Sequence, residues 1–166
     1  MYKILIVDDE SIEREGISFL IEKYKLPLEV AQATNGKTAL EYMRTHPIDI
    51  LLTDVKMPQM DGLELARHTF EKYPDVRILV FSAYGEFEFA KKAMAAQAVS
   101  YLLKPIEVDE FQRVMAQILA QCDELAEKKK DEQQRGEEYR QQLLFRLVTG
   151  TGLGKAHSTE ELFPGQ

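Results

Sequence analysis

"LLTDVKMPQMDG", residues 51–62, decides how this chain is read. An apolar run ends in a carboxylate, Asp54, and the loop after it holds Met57, Pro58, Met60 and an Asp61-Gly62 pair. Residues 48–53, "IDILLT", are apolar enough in succession to be a strand covered on both faces. Pro58 fixes its φ near −65°. Asp61-Gly62 makes a turn into a following helix. A charge at the end of a buried strand asks what lies there to meet it.

Working outward, the same unit repeats. "KILIV" (3–7), residues 28–33, "VRILVFS" (76–82) and "VSYLL" (99–103) are four more short apolar strands. Between them helical spacing runs over 11–24, with Ile12, Gly16, Phe19, Leu20 and Tyr24 on one side. It returns at Ala39, Leu40 and Met43, then at Leu63, Leu65, Ala66, Thr69 and Phe70, and then over 86–97. Strands alternating with helices predict an α/β fold with a parallel sheet and helices on both faces. Right-handed crossovers favour a doubly wound five-stranded sheet. Ligands of such sheets sit outside the carboxyl ends of the strands. Asp8 and Asp9 follow the first strand, Asp54 ends the third, Ser82 ends the fourth and Lys104 follows the fifth. The second strand brings no charge there, as suits an edge.

Three carboxylates at one sheet edge repel unless a cation joins them. Hard oxygen donors suit Mg²⁺. The plainer reading of Asp8 and Asp9 is a capping pair for the first helix. Lys104 alone would be a solvated lysine, Ser82 a turn-capping hydroxyl and Tyr101 a half-buried strand aromatic. Their common placement favours a site.

The chain has 166 residues, 45% hydrophobic and 30% charged, the balance of one globular domain with an appendage. A net charge of −7 argues against gripping a phosphate backbone unaided. A single cysteine, Cys122, excludes an intramolecular disulfide and suggests a reducing compartment. "ILIV" near the amino terminus is too short for a signal-peptide core or a membrane span, so a cytoplasmic location without membrane contact is expected. "GTGLGKA" (150–156) is one residue short of a phosphate loop and has Ala156 in place of Ser/Thr. His46, His68 and His157 lack ligand spacing, and Ser82 is not in a hydrolase elbow.

"ILIVDDE", "LLTDVKMPQMDG", the Ser82-Ala83 strand end and "YLLKP" together resemble the receiver domain of two-component response regulators, over roughly residues 2–122. "REG" (14–16), "SAYGEFEFAKKAM" and "YLLKP" resemble the subgroup with AraC-type helix-turn-helix output. The resemblance implies a flavodoxin-like, CheY-like sheet of order 2-1-3-4-5. It implies that Asp54 accepts a phosphoryl group from a sensor histidine kinase. Asp9 would bind Mg²⁺ directly, Asp8 directly or through water, with Asp54 and the Lys56 carbonyl completing the protein ligands. Lys104 and the Ser82-Ala83 strand end would contact the phosphoryl oxygens, and Tyr101 would switch inward as Ser82 moves. The Lys104-Pro105 peptide is usually cis in this family. Lys56 and Tyr84 occupy positions that tune phosphoryl lifetime. Gln97 departs from the family's common glycine at the end of the fourth helix, so that helix either strains or ends without a left-handed cap.

Val108, Phe111, Val114, Met115 and Ile118 predict a fifth helix, extended by Leu119, Cys122, Leu125 and Ala126. Charged residues 127–138 follow, then apolar spacing resumes at Tyr139, Leu143, Leu144, Leu147 and Val148. The expected organisation is a receiver over 1–122, a linker helix over 123–149 and a flexible tail over 150–166. The linker reads as a solvated helix or a paired coil, with Lys129, Glu132 and Gly136 interrupting the seam. A homodimer would use that helix or the face of the fourth helix, fifth strand and fifth helix. No helix-turn-helix fits in the tail, so DNA would be reached only through a domain beyond it; a stand-alone receiver is the alternative. A Mg²⁺-dependent phosphatase is a further reading, but it would place a second acid where Lys56 stands.

Overall fold

The computed structural model describes residues 1–95, 97 and 99–151. Its strands are β1 (Tyr2–Val7), β2 (Leu28–Ala33), β3 (Ile50–Asp54), β4 (Arg77–Ala83) and β5 (Val99–Lys104). They alternate with helices α1 (Ser11–Lys23), α2 (Gly36–Thr45), α3 (Gly62–Lys72), α4 (Tyr84–Ala93) and α5 (Val108–Thr149). The strands form one parallel sheet in the order β2-β1-β3-β4-β5. Strand order reverses beside β1, and that is where a doubly wound sheet opens its crevice. The chain divides into two compact units, Met1–Cys122 and Asp123–Gln166, and the first contains the whole sheet.

Each strand sends alternate side chains to opposite faces. Ile4, Ile6, Leu52, Leu79, Phe81 and Leu102 meet Ile17 and Ile21 of α1 and Phe111, Val114, Met115 and Ile118 of α5. On the other face Leu5, Val7 and Leu51 meet Ala39 and Met43 of α2, while Ile78 and Val80 meet Leu63 and Ala66 of α3, Ala90 of α4 and Met94 just after it. Both faces of β1 and β3 are therefore dry, which is why their sequences do not alternate with polar residues. Each fully buried Leu or Ile contributes about 1.5–3 kcal/mol of transfer free energy.

The helix starts are fixed locally. Asn35 accepts a hydrogen bond from Thr38 N at 2.8 Å, and Thr38 returns one, closing a capping box on α2. Asp61 accepts from Glu64 N at 2.8 Å at the start of α3. Caps of this kind stabilise a helix by about 1 kcal/mol each.

Two expectations need correction. In α1 the buried stripe is Ile17 and Ile21 with Leu20 beside them, whereas Ile12 is 74% and Phe19 59% exposed. Two apolar stripes compete on that helix, and the one that meets the sheet wins. α4 runs over Tyr84–Ala93 instead of 86–97. It starts two residues early, with Ala83 as its extended N-cap residue, and stops early, where Met94 N donates to Ala90 O. Gln97 thus lies beyond the helix. Among the described residues the non-glycine positive φ values belong to Lys25 and Gln59, so Gln97 carries no left-handed strain. The extended C-terminal helix is as expected: α5 continues through the charged stretch as one 42-residue helix. The expected mobile tail lies, apart from Gly150 and Thr151, outside the described residues.

Candidate functional site

The carboxyl edge of the sheet gathers the charged residues. Asp54 ends β3 and is 7% exposed; Asp8 follows β1 and is 1% exposed. Lys104 ends β5, and its peptide bond to Pro105 is cis. Its Nζ lies 3.4 Å from Asp8 Oδ2 and 3.4 Å from Asp54 Oδ1. Asp9 is exposed, and one carboxylate oxygen from each of Asp8, Asp9 and Asp54 falls within 4.8 Å of the others. Such a group has the spacing and the hard donors to hold a metal ion.

Backbone features hold these groups in place. Asp8 Oδ1 accepts from Glu10 N at 2.9 Å, and the Arg14 guanidinium donates to Asp8 O at 2.6 Å and to Gln32 Oε1 at 3.2 Å. Asp54 Oδ1 accepts from Val55 N at 2.8 Å. After Asp54 the chain doubles back, and Gly62 N donates to Val55 O at 2.7 Å. A Cβ on Gly62 would stand 1.7 Å from the Asp54 carbonyl oxygen, so only glycine admits this approach. Gln59, with φ of 69°, takes the left-handed turn within the loop.

Charge and burial oppose one another here. Burial pushes the Asp54 carboxyl up from 3.8 to about 6, and Asp8 adds to the rise, while Lys104 and the Val55 amide hold it down. Burial lowers the Lys104 ammonium, but Asp54, Asp8 and Glu13 outweigh it, and its pKa is raised. Among the described residues, Lys104 is the cation paired with both buried carboxylates.

Ser82 points to the opposite face of the sheet from Asp54, by the register that pairs Asp54 with Phe81. It is fully buried, and its Oγ has no hydrogen-bond partner among the described residues. An unpartnered buried hydroxyl costs about 1–3 kcal/mol, which a ligand oxygen would relieve. Tyr101 shares that face, packs edge-on against Phe87 with centroids 6.0 Å apart, and reaches Ala90 O at 3.5 Å. Burial raises its pKa.

A cleft of about 640 Å³ opens over the edge, lined by Asp9, Asp54, Lys56, Ala83, Glu86 and Lys104 among others. Lys56 projects into solvent and pairs with Glu86 at 3.8 Å. Glu10, Glu13 and Glu86 were not anticipated from the sequence. The first two lie one and four residues past Asp9, a proximity that could have flagged them; Glu86 carried no such signal.

The sequence profile described as the response regulator receiver domain matches residues 4–116. This chain belongs to the response regulator receiver family. The receiver is 41% identical over 122 residues to the uncharacterized transcriptional regulatory protein YesN of Bacillus subtilis, covering 73% of this chain and 33% of that protein. It is 31% identical over 118 residues to the transcriptional regulatory protein DegU of Brevibacillus brevis, covering 69% of this chain and 50% of that one. The chain thus spans half or less of these two relatives. Among solved structures it resembles a two-component transcriptional regulator AraC from Clostridium phytofermentans, with a TM-score of 0.69 and 35% identity over 75% of this chain and 97% of that chain. The REC domain of AraT, a response regulator from Geobacillus stearothermophilus, gives a TM-score of 0.67 and 38% identity over 77% and 98%. The receiver therefore has the CheY-like fold and acts in two-component signalling. No helix among its described residues is long and apolar enough to cross a membrane.

Proposed function

We propose that Asp54 accepts a phosphoryl group from a sensor histidine kinase in a Mg²⁺-dependent reaction, and that the change in charge switches the receiver. The observation that carries this is Lys104 Nζ at 3.4 Å from both Asp8 and Asp54 at the mouth of an acidic cleft. Asp8, Asp9, Asp54 and the carbonyl of Lys56 would hold Mg²⁺, which supplies charge neutralisation for the transferring phosphoryl group.

Asp54 is the nucleophile. Its Oδ1 is engaged by Val55 N and Lys104, which leaves Oδ2 lone pairs for attack. The new bond joins this oxygen to phosphorus, and the phosphorus–nitrogen bond of the donor phosphohistidine breaks. Its electron pair stays on the imidazole. Phosphoryl transfer asks mainly for positioning and charge, and Lys104 provides a cation held by two carboxylates. The Ser82 hydroxyl and the Ala83 backbone at the start of α4 would contact the phosphoryl oxygens. Ser82 turning toward them frees volume that Tyr101, on the same face, would enter.

The output we infer is transcriptional, through a DNA-binding domain outside this chain, and the likeness to YesN and to the AraC-type receivers supports it. The protein would act in the cytoplasm. A homodimer would use the α4–β5–α5 face or the linker helix, where Tyr139, Leu144, Phe145 and Leu147 are 44–65% exposed. The test is incubation with acetyl phosphate and Mg²⁺, followed by intact-mass measurement. One phosphoryl adduct is expected, absent without Mg²⁺ and absent in Asp54→Asn. An adduct that persists in Asp54→Asn refutes the assignment.

A further inference from the structure

Lys104 has a third neighbour besides its two carboxylates. Its Nζ lies 4.6 Å from the centroid of the Phe81 ring. Phe81 is 1% exposed and its backbone stands in register with Asp54 on one side and Leu102 on the other. Side chains in register on a parallel sheet point to the same face. Lys104 lies two residues past Leu102, so Asp54, Phe81 and Lys104 occupy one face. The ring stands between the strand that carries the acceptor and the strand that carries the cation. Lys104 is thus held by carboxylate oxygens and by an aromatic face.

We propose that Phe81 is a positioning residue for the phosphoryl-transfer reaction, holding the Lys104 ammonium by a cation–π contact while its oxygen partners change. This rests on the reading of Asp54 as the acceptor. Both carboxylate contacts of Lys104 are long, 3.4 Å each. Neither has the geometry of a strong charge-assisted hydrogen bond, whose N–O distance is about 2.7–2.9 Å. A bound phosphoryl group would draw the ammonium away from Asp54 Oδ1. An attraction to a ring face has no preferred oxygen and varies little with a small lateral shift, so it persists through the exchange. Phe81 is immobile enough to serve, being packed with Leu79, Leu102 and Phe111 in the α1/α5 core.

Truncating Phe81 would open the core and confuse packing with electrostatics. The ring should instead be replaced by phenylalanines bearing one, two, three and five fluorines, which keep the shape and progressively remove the negative face. The initial rate of phosphorylation by acetyl phosphate at fixed Mg²⁺ is then measured for each full-length protein. A stepwise fall with fluorine number is expected, reaching roughly 2- to 30-fold for the pentafluoro ring, the range a partly desolvated cation–π contact allows. A rate that stays flat across the series overturns the proposal and leaves the acceptor assignment standing. A parent protein that forms no adduct at Asp54 overturns both.

Discussion

Asp54→Asn should make the metal-free receiver more stable at neutral pH and leave it nearly unchanged in acid. The Asp54 carboxyl is raised from 3.8 to about 6 by burial, net of its pairing with Lys104. Ionised Asp54 therefore disfavours the folded state. A rise of that size is worth about 3 kcal/mol, taking about 1.36 kcal/mol for each tenfold change. Water in the open cleft screens part of it, which leaves about 2 kcal/mol. The sign follows from linkage: between pH 4 and 6 the native state binds the extra proton, so stability falls as pH rises through that window. Above pH 6 the full cost is present; below pH 4 it is absent. Asparagine stays neutral throughout and can still accept from Val55 N. Urea unfolding followed by circular dichroism, with EDTA, should show the variant about 2 kcal/mol more stable at pH 7.5 and within about 0.5 kcal/mol of the parent at pH 4. Adding Mg²⁺ at pH 7.5 should narrow the gap, because each tenfold excess over its Kd stabilises the parent by about 1.4 kcal/mol. A variant less stable than the parent at pH 7.5, or an equal advantage at both pH values, would refute the reasoning.

Other outcomes follow from single contacts. Gly62→Ala would drive a methyl group to 1.7 Å from the Asp54 carbonyl oxygen, so we expect a loss of about 3 kcal/mol or more in urea unfolding and a severe loss of phosphorylation. Lys104→Met removes the cation that holds the Asp54 carboxyl down, so its pKa, followed by carbon-13 NMR of the side chain, should climb above about 6. Glu86→Gln breaks only a long pair to a lysine whose side chain is 86% exposed, and urea unfolding should detect a change within about 0.5 kcal/mol.

Much of the fold is written locally. β1 and β3 read as strands because both of their faces are buried, so nearly every position is apolar. Asp61-Gly62 reads as a helix start because Asp61 caps the first turn of α3. The α1 stripe was misread because helical periodicity offers two apolar faces and does not say which one the sheet will take. The end of α4 was misplaced for a similar reason: alanine-rich residues 93–98 carry no stop signal, and the turn at Met94 is set by return to β5.

For the site, sequence alone placed Asp8, Asp9, Asp54, Ser82 and Lys104 at strand ends, since in a parallel α/β sheet strand ends and crevice coincide. It could not show how far apart these groups lie. Only the tertiary structure set one ammonium 3.4 Å from two carboxylates, left the Ser82 hydroxyl without a partner among the described residues and laid Phe81 beside Lys104. Those relations join residues up to 96 positions apart. Spacing along a chain fixes which face a residue takes on its own strand. Distance across strands comes from register and twist, which are settled only when the sheet packs between its helices.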